Sequence, residues 1–283
     1  MIKGRKLLDY LFYIIITLLT LIPLMILIAL LRFIYLHGFP VLYQQLSGVY
    51  ENMTLEPEAL FQMIISTLML IGMTLLLILP FSILAAIYLS EYARSSSWAQ
   101  LVRFCVEILA SIPSIVYGLF GMLVFVRMAG FGMSIIAGSL TLSLMLLPIM
   151  MRQTEETLKQ VANSYREASS ALGATRFETI KNVVIPSAIP GILVGILLTI
   201  GRIIGESAAL LFTVGSFVRM PINRETGLLS VLESGTTLTI RAIIEFKEYG
   251  NLDAAAAIGM ITIGVAMLLN LISKLIMAIF TKK

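Results

Sequence analysis

Apolar residues fall in long unbroken runs, and polar residues gather in short stretches between them. The runs lie at about 7–31, 61–89, 101–126, 131–151, 189–214 and 254–280. Each is long enough to cross roughly 30 Å of hydrocarbon as a helix rising about 1.5 Å per residue. None shows the residue-by-residue alternation of a membrane-spanning strand. The predicted fold class is all-α: a polytopic membrane protein of six transmembrane helices in a single domain, 1–283. The first run follows Lys3, Arg5 and Lys6, is too long for a signal-peptide core and lacks a small-residue cleavage site, so it is expected to be a retained span. A polar loop holding His37, Glu51, Glu56 and Glu58 is expected after it. Pro23, Pro80, Pro113, Pro148 and Pro190 lie in or at the start of the first five runs. Each removes a backbone hydrogen bond, so kinked spans are expected.

Composition agrees with the pattern and narrows the chemistry. Of 283 residues, 59% are hydrophobic and 13% charged, which excludes an ordinary soluble domain. Cys105, the single cysteine, lies in an apolar run, so no intrachain disulfide can form and a core thiol is expected. The one histidine, His37, has no clustered ligands near it in sequence, so no metal site is expected. The chain carries neither a G-x-x-x-x-G-K-[ST] phosphate loop nor a Ser/His/Asp set, and no enzyme activity of its own is expected. Lysine and arginine concentrate before the first run, between the fourth and fifth, and after the sixth. By the positive-inside rule both termini and the 152–188 segment are expected in the cytoplasm, and the basic excess carries no nucleic-acid inference.

The fifth run holds the candidate chemistry within the membrane. Arg202 and Glu206 are four residues apart on a predicted helix, on the same face as Gly191, Gly195, Gly205 and Ala209, and are expected to pair. An arginine at that depth costs about 2.5–3.5 kcal/mol on the most lenient insertion scale. Its guanidinium is a fork of donors matched to an oxyanion. Arg202 is therefore the candidate substrate-path residue, with Glu206 expected to hold it in place. Glu107 in the third run is expected to pair with Arg103, one turn earlier.

The most organised polar stretch is 163–190. Ser164 with Glu167 and Thr175 with Glu178 each read as a capping box, in which side chains satisfy the free N–H groups of a helix start. Gly173 between them suits a left-handed helix end, and Pro186 is expected to stop the second helix. Phe177, Ile180 and Val184 recur at helical spacing and are expected to form half of an interface. Amphipathic helices at the outer surface are expected in 218–253, either capping the path, receiving a partner or packing on the spans.

Glu167-Ala168-Ser169, Gly173 and Ile185-Pro186 are spaced as in the EAA loop of ABC importer permeases, with Ser169, Val183 and Ile185 as mild departures. The stretch resembles that loop, which in the family docks in a groove of a cytosolic ATPase. The resemblance implies an ATPase-coupling role for Glu167, Ala168, Gly173, Phe177 and Pro186. SIPSIVYGLFG at 111–121, ALGATRFETIKNVVIPSAIPGILVG from Ala171 and GRIIGESAALLFT from Gly201 are similar to the phosphate-importer permeases of the PstA and PstC type. The ALLFT segment and the closing LLNLISKLI are more similar to PstA, and Ser207 stands where threonine is common. What this implies is the MetI-like permease fold, in the plasma (inner) membrane of a prokaryote, with inorganic phosphate as substrate. The implied partners are a PstC-like second permease subunit, a PstB-like ATPase dimer carrying ATP and Mg, an external PstS-like phosphate-binding protein and the lipid bilayer. Two alternatives stay open on the residues: another oxyanion such as sulfate or molybdate, and proton-coupled anion transport with Glu206 or Glu107 carrying the proton.

Overall fold

The computed structural model describes residues 2–49, 55–94, 96–216 and 230–281. Glu51, Arg219, Arg224, Leu228 and Leu229 lie outside them. The elements in order are α1 (Ile2–Leu46), α2 (Pro57–Ile87), α3 (Ser97–Ser111), α4 (Ser114–Gly121), α5 (Ile135–Gln160), α6 (Asn163–Ala171) and α7 (Arg176–Thr179). They are followed by α8 (Ile185–Gly205), α9 (Ala208–Leu211), α10 (Leu238–Lys247) and α11 (Leu252–Thr281). Wider π-helical turns extend α2 through Tyr88–Tyr92, extend α4 through Met122–Met128, and join α7 to α8 through Ile180–Val184. Among the described residues five helical segments are long and apolar enough to cross a membrane, and α3 and α4, bent by 93° at their junction, make six if taken together as one broken span.

That bend is where proline acts. Ile112 is extended (φ −68°, ψ 132°), as steric conflict with a following proline ring demands, and Pro113, also extended, precedes the first residue of α4. The run at 101–126, expected as one span, is broken there. Pro23, Pro80, Pro148 and Pro190 sit inside continuous helices. The first helix also exceeds its expected end near Leu31, continuing through Pro40 to Leu46 and closing before Gly48, whose φ is +73°. His37 therefore lies on a helix and not in a loop, with its Nδ1 2.8 Å from Asp253 Oδ1 of α11. The next residue, Gly38, lets α1 approach the α11 backbone: a Cβ there would lie 2.8 Å from the Ala256 carbonyl oxygen.

The pair α2 and α5 forms the centre. Leu70 and Ile78 of α2 and Leu142 and Leu146 of α5 pack with Ile203 of α8, Leu210 of α9, and Ile240 and Ile244 of α10. Thus α10 packs on the spans through Leu238, Ile240 and Ile244, one of the three roles considered for it, while Phe246 and Lys247 at its end are exposed. A second cluster joins the other ends of the same helices: Ala86 and Leu89, Met150 and Leu158, Val184 and Ala188, with Ala99 of α3. The outer face of α3 is left open, and Cys105 is exposed on it, contrary to the buried thiol anticipated. The start of α5 is sealed by the chain around it. Ser134 accepts from Ala137 N, and the N–H groups of Ser134, Ile135 and Ile136 donate to the carbonyls of Thr213, Glu233 and Val231.

Close approach without a side chain fixes α4 against α9, since a Cβ on Gly118 would lie 2.8 Å from Ala209 Cα. Backbone cannot yield as a flexible side chain does. Gly118→Val is expected to cost at least about 1–3 kcal/mol, the usual penalty of overpacking. Gly72→Ala, where open space surrounds the position, is expected to be neutral or slightly stabilising. Thermal unfolding of the purified protein in detergent compares the two; equal midpoints would contradict the α4–α9 contact.

Candidate functional site

The polar loop after α5 begins with an extended turn at Val161 (ψ 121°) and Ala162 (ψ 140°). Because the chain turns there, Ala162 takes the N-cap position and Ser164 is already helical, so the Ser164–Glu167 box does not form. The second box does. Thr175 Oγ1 accepts from Glu178 N at 3.3 Å, and the Glu178 carboxylate accepts from Thr175 N at 2.7 Å. Gly173 between the two helices has φ +83°, the left-handed conformation that ends α6.

Pro186 does not end the helix it follows. The N–H of Ile185 donates to the Ile180 carbonyl across the π-helical turn, and Pro186 then falls in the first turn of resumed α-helix, where its missing donor and fixed φ are tolerated. From Arg176 to Gly205 the chain is thus one helical rod. Its Ile180 and Val184 are buried against the spans, so of the anticipated apolar stripe only Phe177 stays exposed. The apolar groups at the loop surface are Tyr165, Leu172 and Phe177, exposed by 59%, 90% and 64%. Glu167, Ala168, Gly173 and Pro186 are exposed as well.

At the root of the loop the structure adds a residue that sequence reasoning missed. Glu91, in the π-helical turn after α2, is 7% exposed and receives both arms of the Arg166 guanidinium: Nη2 donates to Oε1 at 2.7 Å and Nε to Oε2 at 3.2 Å. Arg166 also donates to the carbonyls of Leu158 (2.9 Å) and Val161, at the end of α5. Arg176 donates to the Glu91 backbone carbonyl and lies over the Tyr92 ring, 5.2 Å from its centroid. Ser169 and Thr179 hydroxyls meet at 2.9 Å and join α6 to α7. The available signal was an acidic residue at the end of a span where positive charge is the rule.

Beside this lies a second charged group, and it rearranges an expected pair. Arg103 donates to Glu155 (2.7 Å) and to the Leu89 carbonyl (2.9 Å), while Lys159 reaches the same Glu155 at 2.7 Å. Glu107 instead faces Arg152, at 3.6 Å. Tertiary partners on α5 outcompete the local i,i+4 geometry because Glu155 is buried and must be compensated.

At the other end of the rod, Arg202 and Glu206 are not paired. The helix stops at Gly205 and Glu206 is extended (φ −76°, ψ 131°), so the spacing that would have brought them together is lost. Glu206 Oε1 accepts from Ala209 N at 3.1 Å, capping the short α9. Arg202 is exposed, and among the described residues no carboxylate lies within ion-pair distance of it. The small-residue face divides accordingly. Gly191 and Gly195 admit α5, with a Cβ on them 2.3 Å from Thr157 Cγ2 and 3.2 Å from Gln153 Cδ, whereas Gly201 and Gly205 border open space.

The family model described as binding-protein-dependent transport system inner membrane component matches residues 78–283. The chain belongs to this family. It is 34% identical over 243 residues to the probable ABC transporter permease protein YqgI of Bacillus subtilis (strain 168), covering 84% of this permease and 83% of that protein. It is 36% identical over 226 residues to the phosphate transport system permease protein PstA of Haemophilus influenzae, covering 78% and 76% of the two chains. Among solved structures, a bacterial ABC transporter that imports the acidic polysaccharide alginate superposes with a TM-score of 0.66 at 16% identity, over 92% of this permease and 95% of that chain, a likeness of fold. The permease is thus a multi-pass integral membrane protein of the MetI-like ABC importer type. Among its described residues no cluster of three or more His, Cys, Asp or Glu could hold a metal ion.

The capping box makes a local prediction. Thr175→Ala removes an N-cap worth about 1 kcal/mol, so amide exchange at Phe177 to Thr179 is expected to accelerate about fivefold with exchange elsewhere unchanged. Unchanged exchange at those amides would mean that the box contributes nothing to the loop.

Proposed function

We propose that this permease is the transmembrane subunit of an ATP-driven importer of inorganic phosphate, with the motion of partner ATPases coupled to alternating access. The observation that carries this reading is the exposed Arg202, at the far end of a continuous rod whose near end is the EAA-type loop. A guanidinium on the surface of an apolar span is costly against lipid, so this face must be covered by another subunit or line a wet path. A PstC-like second permease subunit supplies that cover, and the path runs between the two. Arg202, with no carboxylate of the described residues spent on it, offers its fork to a tetrahedral oxyanion, and the partial negative charge at the end of α8 keeps the anion from being trapped. Glu206 fixes the helix break that places Arg202 there.

The remaining parts follow from the same reading. Both termini and the loop lie in the cytoplasm, where Glu167, Ala168, Gly173 and Phe177 dock on a PstB-like ATPase dimer holding ATP and Mg, while Pro186 keeps the rod continuous. An external PstS-like protein delivers phosphate. Similarity to PstA proteins of several species, such as that of Haemophilus influenzae, supports phosphate over other oxyanions.

Proteoliposomes containing the four components test the proposal. ATP-dependent uptake of labelled phosphate is expected, resistant to excess sulfate and molybdate, and Arg202→Gln is expected to lower it at least tenfold with ATP hydrolysis retained. Uptake driven by a pH gradient without ATP would overturn the reading, and block by sulfate or molybdate would reassign the substrate. Gly173→Pro tests the loop. Proline cannot adopt φ +83°, so the turn must rearrange, and hydrolysis is expected to continue with little uptake.

A further inference from the structure

Glu91 is held from two sides, its buried carboxylate by Arg166 and its backbone carbonyl by Arg176. It belongs to α2 through the Tyr88–Tyr92 turn. Its side chain is held by Arg166 of α6, and Arg166 binds the closing carbonyls of α5 at Leu158 and Val161. Its own carbonyl is held by Arg176, the first residue of the rod that continues to Arg202. The π-helical turn sets the direction: Ala93 N donates to the Tyr88 carbonyl, and the extra residue turns Glu91 inward while Tyr92 is left under Arg176.

The surrounding charge makes the arrangement depend on this residue. Arg94, Arg166 and Arg176 border one pocket with Ser90, Ser170 and Thr179, and Glu91 is its single acidic member. Without that carboxylate the guanidinium of Arg166, 14% exposed, has only carbonyls to meet and repels its neighbours. The loop would then remain tied to the spans through its covalent ends, the packing of Ile180 and Val184 and the contacts of Arg176 with the Glu91 backbone carbonyl and Tyr92, with no side-chain ion pair from Arg166 to α2.

From this geometry we infer that Glu91 is the positioning residue that couples the loop to α2, so that a push on α6 and α7 moves the central α2–α5 pair together with the Arg202 rod. The inference rests on the importer reading above. A loop held only by its covalent ends would pull on α5 and α8 and leave α2 to follow by packing. A loop clamped at Glu91 moves the helices whose side chains make up the core.

The test measures phosphate uptake and ATP hydrolysis on the same proteoliposomes of the full four-component complex. Glu91→Gln keeps the shape and removes the charge; it is expected to assemble normally, to hydrolyse ATP within about twofold of the parent, and to transport at least fivefold less phosphate per ATP. Arg166→Lys, which keeps charge but loses the two-armed contact, is expected to fall between them. In a Cys105→Ser background, Glu91→Cys with Arg166→Cys is expected to be uncoupled until a short bifunctional thiol reagent ties the two, and then to recover. Unchanged phosphate per ATP in Glu91→Gln, or no recovery on tying, would overturn the inference. Failure of both single variants to assemble would assign Glu91 to folding and overturn it equally. A parent complex without ATP-dependent uptake would instead refute the importer reading.

Discussion

The two-armed ion pair between Arg166 and Glu91 is the contact on which the loop-bearing half of this permease depends. Removing two charges from water costs several kcal/mol each, and the loss is recovered only when every donor and acceptor is used. Here it is well used: both carboxylate oxygens of Glu91 accept, and Arg166 serves two carbonyls besides. A contact so demanding of geometry holds α2, the end of α5 and the start of α6 in one relative position. The second hydrophobic cluster lies beside it and is aligned by the same helices.

A different constraint governs the other end. Most of α8 is ordinary apolar helix, but its last turn presents Arg202 with no carboxylate partner among the described residues, in a chain whose surface is apolar over long stretches. The break after Gly205 turns Glu206 toward α9 and away from Arg202. Close approach at Gly191 and Gly195 fixes the lower half of the same helix to α5. The helix is therefore held at one half and open at the other, and a single rod joins the open half to the loop.

Much of this was legible in the sequence because the membrane imposes a simple rule: apolar length reports helices, and the loop motif reports its own caps. The Thr175–Glu178 box and the left-handed Gly173 followed from local chemistry alone. What was not legible depended on tertiary alternatives. Ser164 has the residue type and spacing of a cap, yet the turn at Ala162 forestalls it. Pro186 reads as a stop, yet a π-helical turn absorbs it. Arg202 and Glu206, like Arg103 and Glu107, sit at pairing distance on an ideal helix, and a helix end in one case and a buried Glu155 in the other separates them. Glu91 was hidden for the opposite reason, as a single acidic residue at the end of an apolar run, with partners 75 and 85 residues away.

The central claim is that the loop and α2 move as one body during the ATP cycle. Spin labels at Leu172 on the loop and Phe81 on α2, both exposed, measure this directly by pulsed electron resonance in the assembled complex with Cys105→Ser. A second pair, Leu172 with Met267 on α11, reports that the cycle has run. The account predicts that the Leu172–Phe81 distance distribution is the same without nucleotide and with ATP held by a hydrolysis-deficient partner, while the Leu172–Met267 distribution shifts. A Leu172–Phe81 distance that changes between those two states would contradict it.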